Sequence, residues 1–264
     1  MSANDPILLT LDGAIATVTF NRPERRNAIT FAMWNQLQRL LVDLKENPAV
    51  RVIVFRGAGG EAFSAGADIS EFATHRNNAA KATLYNAAFD AAMDTAEAVG
   101  KPTLCLIEGA CVGGGCEFST ACDIRIASET ARMGVPIARL GLPIAYREMR
   151  RMVRLIGHAK TMELLLTAAI IPASEAHAIG LVNHVVSTGD VEAFTYDMAN
   201  KIAALAPVVH RVHKEILHTV LEHPALEGLT PDHQALAVSP YETEDFQEGW
   251  RAFLEKRPPQ FQGR

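Results

Sequence analysis

The sequence has no long apolar run and no basic stretch, and both absences restrict what the protein can do. No segment of its 264 residues approaches the roughly 20 consecutive apolar residues that a membrane-spanning helix needs. The formal net charge is −5, and no cluster of lysine and arginine offers a surface to nucleic acid. The first residues also lack the basic and apolar segments of a secretory signal. We therefore expect neither a membrane nor a nucleic acid as partner.

Cysteine is scarce, and its four copies lie close together between Cys105 and Cys122. None of them forms a C-x-x-C pair, and several have apolar neighbours. This pattern is typical of buried, reduced thiols rather than of zinc ligands or disulfides. We expect no metal site, and a reducing compartment, hence a cytoplasmic location.

What the sequence does contain is an alternation of strand-like and helix-like segments. β-rich runs occupy residues 14–20, 50–55, 103–107 and 123–127. Helix patterns lie between them, one after the capping residue Thr30 and one from about Ala79 to Val99. This order predicts an α/β fold with parallel strands. We divide the chain into an α/β core, residues 1–190, and a helical region, residues 191–264, which is expected to take part in oligomerisation.

Two glycine-containing turns offer the best candidates for chemistry. One covers residues 63–69, and the other covers residues 108–117 and includes Gly113, Gly114 and Gly115. Three glycines just before a helix leave backbone N–H groups accessible at its positive end, where an anion or oxyanion can bind. The turns match neither the nucleotide P-loop, nor the dinucleotide fingerprint, nor the G-x-S-x-G elbow.

Taken together in order, these motifs resemble the crotonase (enoyl-CoA hydratase/isomerase) superfamily, from about residue 7 to residue 261. The matching segments are NRP at 21–23 with NA at 27–28, AFSAGADI at 62–69, KP at 101–102 through Gly109, GGGCE at 113–117 with CD at 122–123, AHAIGLV at 176–182, and EDFQEG at 244–249 with FLEKR at 253–257. The resemblance implies a ββα superhelix core with a C-terminal helical extension. It also implies an acyl-CoA substrate, no separate cofactor, and a homotrimer or a dimer of trimers.

The resemblance further implies roles for particular residues. The backbone N–H groups of Ala67 and Gly114 are expected to form an oxyanion hole for the thioester carbonyl, and Glu117 matches one of two catalytic glutamates of family hydratases. The residues expected to hold the substrate or its CoA are Arg25, Arg26, Ala28, Ala65, Ala67, Asp68, Ile69 and Gly113.

The sequence departs from the hydratase pattern at the second glutamate, where it has Ile137. Hydration needs both a base for water and an acid for the α-carbon, so the loss puts ordinary hydratase activity in question. Tyr146, Glu148 and Arg139 are polar residues nearby that could substitute for it. The alternatives are isomerisation with Glu117 as the sole base, hydrolysis, decarboxylation, or acyl-CoA binding with little hydratase activity. RNA binding is disfavoured by the negative charge.

Overall fold

The computed structural model describes residues 4–264, whose secondary structure comprises strands, α-helices and short 3₁₀ turns. The strands are β1 Ile7–Asp12, β2 Ile15–Phe20, β3 Val52–Gly57, β4 Ala62–Ser64, β5 Thr103–Ile107, β6 Ala110–Val112, β7 Ile124–Ser128, β8 Arg132–Gly134, β9 Ile171–Pro172 and β10 His184–Val186. The helices are α1 Phe31–Glu46, α2 Phe72–His75, α3 Ala79–Glu97, α4 Gly114–Ser119, α5 Tyr146–Thr167, α6 Ala173–Ala178, α7 Val191–Ala203, α8 Pro207–Glu222, α9 Pro231–Val238 and α10 Glu244–Glu255. The 3₁₀ turns are Pro23–Arg25, Ile69–Glu71, Ile137–Leu140 and Ser239–Glu242.

The strands form two sheets, and the predicted α/β fold with parallel strands is confirmed. The first sheet has the order β1-β2-β3-β5-β7-β10 and is parallel except for the β1–β2 hairpin. The second sheet has the order β4-β6-β8-β9, in which β4, β6 and β8 run parallel. Residues Val52 and Val54 face one apolar cluster and Ile53 and Phe55 face another, as the two-residue period of a strand requires. The first sheet is therefore buried on both faces.

A ββα unit recurs three times and determines where a site can form. Each unit gives one strand to the first sheet, the next strand to the second sheet, and then a helical segment. The units are β3-β4 with α2 and α3, β5-β6 with α4, and β7-β8 with α5. Because β4, β6 and β8 are parallel neighbours, their carboxyl ends lie at one edge of the second sheet. The segments that follow these three strands therefore meet.

Helix α1 shows how the local sequence supports this arrangement. The Thr30 side chain accepts a hydrogen bond from Met33 N at 3.2 Å, as an N-cap does. The buried apolar face of α1 packs on α3, and Trp34 Nε1 donates a hydrogen bond to Tyr85 Oη at 3.0 Å. Burying one large apolar side chain contributes about 1.5–3 kcal/mol to folding stability, so the packing of this face holds α3 in place. Helix α3 in turn forms one wall of the site.

The helical region from residue 191 begins as part of the core. Val191, Ala199 and Ala203 of α7 pack against the first sheet in the same cluster as Val52 and Val54. Helices α8 to α10 follow, and the end of the chain folds back, with Arg51 Nη2 donating to Phe261 O at 2.6 Å. All strands of the described residues precede residue 190, and only helices and a 3₁₀ turn follow it.

Two features of the fold differ from the expectation. The strand at Ile7–Asp12 and the second sheet were not predicted from the sequence. The strands of the second sheet have only two or three residues each, too few for an alternating pattern to be visible. The four cysteines are free and buried, as predicted.

None of the helices formed by residues 4–264 combines the length and the apolar character needed to cross a membrane.

Candidate active site

A cavity of about 280 Å³ lies where β4, β6 and β8 end. The segments after these strands form one side, and α3 with the start of α5 forms the other. Most of the lining is apolar and comes from Ile69, Phe72, Tyr85, Phe89, Val112, Pro136, Ile137, Leu140, Leu142, Pro143 and Ile144. Polar groups that reach this cavity are therefore in surroundings poor in water, where electrostatic interactions are strong.

The two glycine-containing turns are in direct backbone contact at the cavity. Gly66 has φ +94°, and a Cβ built on it would lie 2.7 Å from Val112 O and 3.0 Å from Gly114 N. A Cβ on Gly115 would lie 2.6 Å from the Ser64 Cβ. Such distances leave no space for a side chain, so the glycines allow the two turns to approach each other closely.

The backbone N–H groups of Ala67 and Gly114 are thereby placed side by side. A Cβ on Gly114 would lie 3.5 Å from Ala67 N. Gly114 is the first residue of α4, where an N–H has no partner within the helix. Within residues 4–264 neither N–H has a hydrogen-bond acceptor. Ala67 is held in place because Ile29 N donates to Gly66 O at 2.8 Å and Asp68 N donates to Ile29 O at 2.9 Å. Both predicted donors are thus together and free.

Glu117 lies in the first turn of α4, three residues after Gly114, and lines the cavity. It is only 7% exposed. Burial raises its pKa to about 8; the charges of Glu148 and Asp90 act in the same direction, while Arg76 opposes them. A carboxyl group with this pKa can hold or release a proton near neutral pH, as an acid or base catalyst must.

Glu148 reaches the same cavity from the first turn of α5. It is 2% exposed, and among the described residues neither carboxylate oxygen has a hydrogen-bond partner. Burial raises its pKa to about 7; its own backbone N–H and the charge of Arg151 oppose this, while the neighbouring Asp90 acts in the same direction as burial. The cavity therefore contains a second buried carboxyl group, opposite the glycine turns.

The structure separates the three residues considered as substitutes for the missing glutamate. Ile137 lines the cavity where that glutamate was expected. Tyr146 is 95% exposed and lies outside the cavity. Arg139 lines the cavity, and its Nη2 donates to Ala168 O at 2.7 Å. Only Glu148 adds a buried carboxyl group. Its signal in the sequence was its spacing from Met152 and Ile156, which places an acid on the buried face of α5.

The residues expected to hold CoA fall into two groups. Ala65, Ala67, Ile69 and Gly113 line the cavity. Arg25, Arg26, Ala28 and Asp68 lie outside it.

This outer group is connected to the cavity through the backbone. Ala65 N donates to Arg26 O at 2.9 Å, so the segment before α1 pairs with the turn after β4. Arg22 donates to the Asp68 carboxylate at 2.8 Å and to Ala28 O at 2.8 Å. Hydrogen bonds from Ser70 and the ion pair with Arg22 lower the pKa of Asp68. Asp68 is therefore engaged in holding the two segments together, whereas Arg25 and Arg26 are exposed.

Helices α2 and α3 form a wall of the cavity, and no residue of this wall was predicted to belong to the site. Arg76, which follows α2, lies over the rings of Phe72 and Tyr85, with its guanidinium carbon 5.0 Å and 4.7 Å from their centroids. Asp90 of α3 also lines the cavity. Helix α3 is Ala-rich and weakly patterned, so no periodic signal distinguished its cavity face. Within residues 4–264 no group of three or more His, Cys, Asp or Glu residues is arranged to hold a metal ion.

The buried carboxyl groups should make the fold less stable as pH rises. The pKa of Glu117 is about 8 and that of Glu148 about 7 in the folded protein, against 4.5 for an ordinary glutamate. Between pH 4.5 and pH 8 the folded protein thus binds more protons than the unfolded chain, so the free energy of unfolding falls with increasing pH. In urea titrations, Glu117→Gln should make the pH-dependent decrease in the free energy of unfolding smaller by about 2–4 kcal/mol. The exposed variant Glu163→Gln should follow the wild type, and identical curves for all three proteins would contradict the expectation.

Comparison with known proteins gives a consistent result along almost the entire chain. The model of the enoyl-CoA hydratase/isomerase family matches residues 10–264. The short-chain-enoyl-CoA hydratase of Clostridium acetobutylicum is 32% identical over 251 residues, covering 95% of this chain and 95% of that protein. The crotonyl-CoA hydratase of Syntrophomonas wolfei is 30% identical, covering 98% of each protein.

Solved structures agree with the sequence comparison. An enoyl-CoA hydratase/carnithine racemase from Magnetospirillum magneticum has a TM-score of 0.95 and 38% identity, covering 98% of this chain and 96% of that one. An enoyl-CoA hydratase from Bacillus anthracis has a TM-score of 0.91 and 31% identity, covering 98% of this chain and 100% of that one. The expected crotonase-like fold is confirmed. The chain belongs to the enoyl-CoA hydratase/isomerase family of the crotonase superfamily and is an enzyme of this lyase and isomerase family.

Proposed function

We propose that this enzyme binds an acyl-CoA thioester, holds the thioester carbonyl on the N–H groups of Ala67 and Gly114, and stabilises an enolate. The observation that carries the proposal is the pair of free backbone donors beside a buried acid, Glu117, in an apolar cavity. Charge that develops on the carbonyl oxygen is stabilised by donors already in position. One such donor typically contributes about 3–4 kcal/mol to lowering the barrier.

Glu117 is the group that moves a proton in this scheme. Glu117 is on the same short helix as Gly114. A thioester whose carbonyl oxygen binds at the start of this helix therefore has its neighbouring carbon atoms near the Glu117 carboxyl group. A positioned acid or base of matched pKa typically contributes about 10²–10⁴-fold to the rate. Hydration of an enoyl-CoA and migration of its double bond both require a stabilised enolate and a proton transfer. The scheme needs no cofactor besides the CoA of the substrate.

Turnover of a short panel of enoyl-CoA thioesters, beginning with crotonyl-CoA, tests the proposal. Hydration is followed by loss of the conjugated thioester absorbance, and isomerisation by its appearance from a 3-enoyl-CoA. Conversion of at least one member of the panel is expected. A protein that binds the thioesters but converts none would be an acyl-CoA-binding protein and would contradict the proposal.

Affinity should depend on the CoA part of the ligand. The expected CoA contacts come from the segment before α1 and the turn after β4, which are hydrogen-bonded to each other beside the cavity. Butyryl-CoA should therefore bind at least about tenfold more tightly than butyrate, a difference of about 1.4 kcal/mol. Isothermal titration calorimetry measures both affinities, with free CoA as the control. Equal affinities for the thioester and the acid would contradict the assignment.

The oligomeric proposal is a homotrimer or a dimer of trimers formed through the helical region, residues 191–264. Its support is an apolar surface on the last helices, where large side chains are exposed, with Phe253 at 83%. The exposed residues of this surface are Val238, Tyr241, Phe246, Trp250, Phe253 and Leu254. Exposed apolar side chains in this number are typical of a protein interface. The proposed location is the cytoplasm.

A further inference from the structure

We propose that Glu148 is the second acid/base group of this active site and works as a pair with Glu117, taking the role that Ile137 cannot fill. The inference rests on the proposed function, because it concerns proton transfer during the same reaction. It assigns the second carboxyl group to the start of α5 instead of the turn after β8.

The position of Glu148 does not fit a structural role. An acid in the first turn of a helix usually stabilises the helix start by bonding to free N–H groups, and there it is partly exposed. Glu148 is almost fully buried; its own backbone N–H lies near enough to lower its pKa, but among the described residues neither oxygen has a partner of normal hydrogen-bond geometry. Leaving a carboxyl group in this state costs several kcal/mol unless it is protonated or meets a ligand. The cavity is where such a ligand would be.

The charges around the pair leave it without a full counter-ion. The charged side chains on the surrounding elements are Arg76, Asp90, Arg139, Arg147 and Arg151. Both arginines of α5 that lie near Glu148 bond instead to acids of α3, and Arg139 donates to a backbone carbonyl. The charge of Arg76 lowers the pKa of Glu117, but among the described residues the two side chains form no ion pair. The charge of Glu148 raises the pKa of Glu117, and Asp90 raises the pKa of both, so this group of carboxyls retains a proton near neutral pH.

A pair that carries one proton supplies what hydration requires. The ionised carboxylate removes a proton from water while the water oxygen bonds to C3 of the enoyl group. The π electrons of C2 and C3 move to the thioester oxygen, held by Ala67 and Gly114. The protonated carboxyl group then gives its proton to C2 as the carbonyl re-forms. The pair gains one proton and releases one, so one enoyl-CoA and one water are consumed and no other reactant is needed.

The kinetic test compares wild type, Glu148→Gln and a matched control, Glu163→Gln, which removes an exposed glutamate of the same helix. For Glu148→Gln we expect kcat for crotonyl-CoA hydration to fall by about 10²–10⁴-fold. The Kd for butyryl-CoA should stay within about threefold, because the backbone donors and the CoA contacts remain. The control should retain the wild-type rate.

A second measurement follows the carboxyl groups directly and does not depend on turnover. In wild-type protein labelled with ¹³C at the glutamate carboxyl carbon, two resonances should titrate near neutral pH. Glu148→Gln should remove one of them and lower the pKa of the other, that of Glu117, because a neighbouring negative charge is gone. An unchanged pKa of Glu117 would show that the two carboxyl groups do not interact, and would contradict their action as a pair.

The outcomes separate the inference from the proposed function. If wild type hydrates crotonyl-CoA and Glu148→Gln keeps its rate and pH profile, the inference is wrong and the proposed function stands. If wild type converts no enoyl-CoA, whether or not it binds butyryl-CoA, the proposed function is wrong and the inference fails with it. Two wild-type carboxyl groups that both titrate at ordinary acidic pH would also overturn the inference.

Discussion

Replacement of Glu117 by glutamine is expected to lower turnover of the best enoyl-CoA by about 10²–10⁴-fold while changing the affinity for acyl-CoA little. Glutamine has nearly the same shape but cannot take up or release the proton. The proposed oxyanion donors are backbone N–H groups of Ala67 and Gly114, so they remain in place. Single-turnover kinetics, together with calorimetric titration of butyryl-CoA, separate the chemical step from binding.

The same substitution should stabilise the protein at alkaline pH, since it removes a buried acid with a raised pKa. Loss of activity combined with a gain of stability distinguishes a catalytic role from a structural one. Glu215→Gln, at an exposed position of α8, is the control and should leave both properties unchanged. Near-wild-type turnover by Glu117→Gln would show that another group carries the proton.

Replacement of Gly66 by alanine is expected to reduce kcat/KM by about 10²–10³-fold, as if one oxyanion donor were lost. The new Cβ would lie 2.7 Å from Val112 O and 3.0 Å from Gly114 N, so the two turns must separate. Their separation displaces the Ala67 and Gly114 N–H groups from each other. The affinity for free CoA should change less, because the segment before α1 is hydrogen-bonded to the turn after β4 and not to β6.

A matched control for this substitution is Gly13→Ala in the β1–β2 hairpin. Gly13 also has a positive φ, +53°, but a Cβ there would meet no atom within 4 Å. Both variants carry the cost of a left-handed residue with a side chain, about 1–2 kcal/mol, visible as a lower melting temperature. Only Gly66→Ala should lose activity. Equal activity in the two variants would show that contact between the turns is not needed for the reaction.

The sequence predicted those parts of the fold that are long enough to show a period. The strand at Thr103–Ile107 and the helix capped by Thr30 were placed almost to the residue, because a buried strand and a capped amphipathic helix have strong local signals. The turns at Ala67 and Gly114 were found from their glycines, which only close backbone approach requires. Strands of three residues carry no such signal, so the second sheet was not foreseen.

The second carboxyl group illustrates a different limit. In the sequence, Glu148 lies among arginines at a polar helix start, and only its spacing from Met152 and Ile156 indicates a buried position. Its burial depends on α3 and on the turn after β8, which approach it only in the folded chain. The pKa of such a group depends on those neighbours. A motif search finds a carboxyl group where relatives have it, and here it pointed to Ile137.

The three ββα units also determine when in folding the enzyme can become active. Ala67 follows the first unit's strands, Gly114 and Glu117 belong to the second, and Glu148 follows the strands of the third. The two proposed oxyanion donors lie on different segments, which the parallel pairing of β4 with β6 brings together. Such pairing between distant segments is slow compared with helix formation. With the catalytic groups proposed here, catalysis during synthesis or refolding can begin only after all three units have docked, however early the individual helices form.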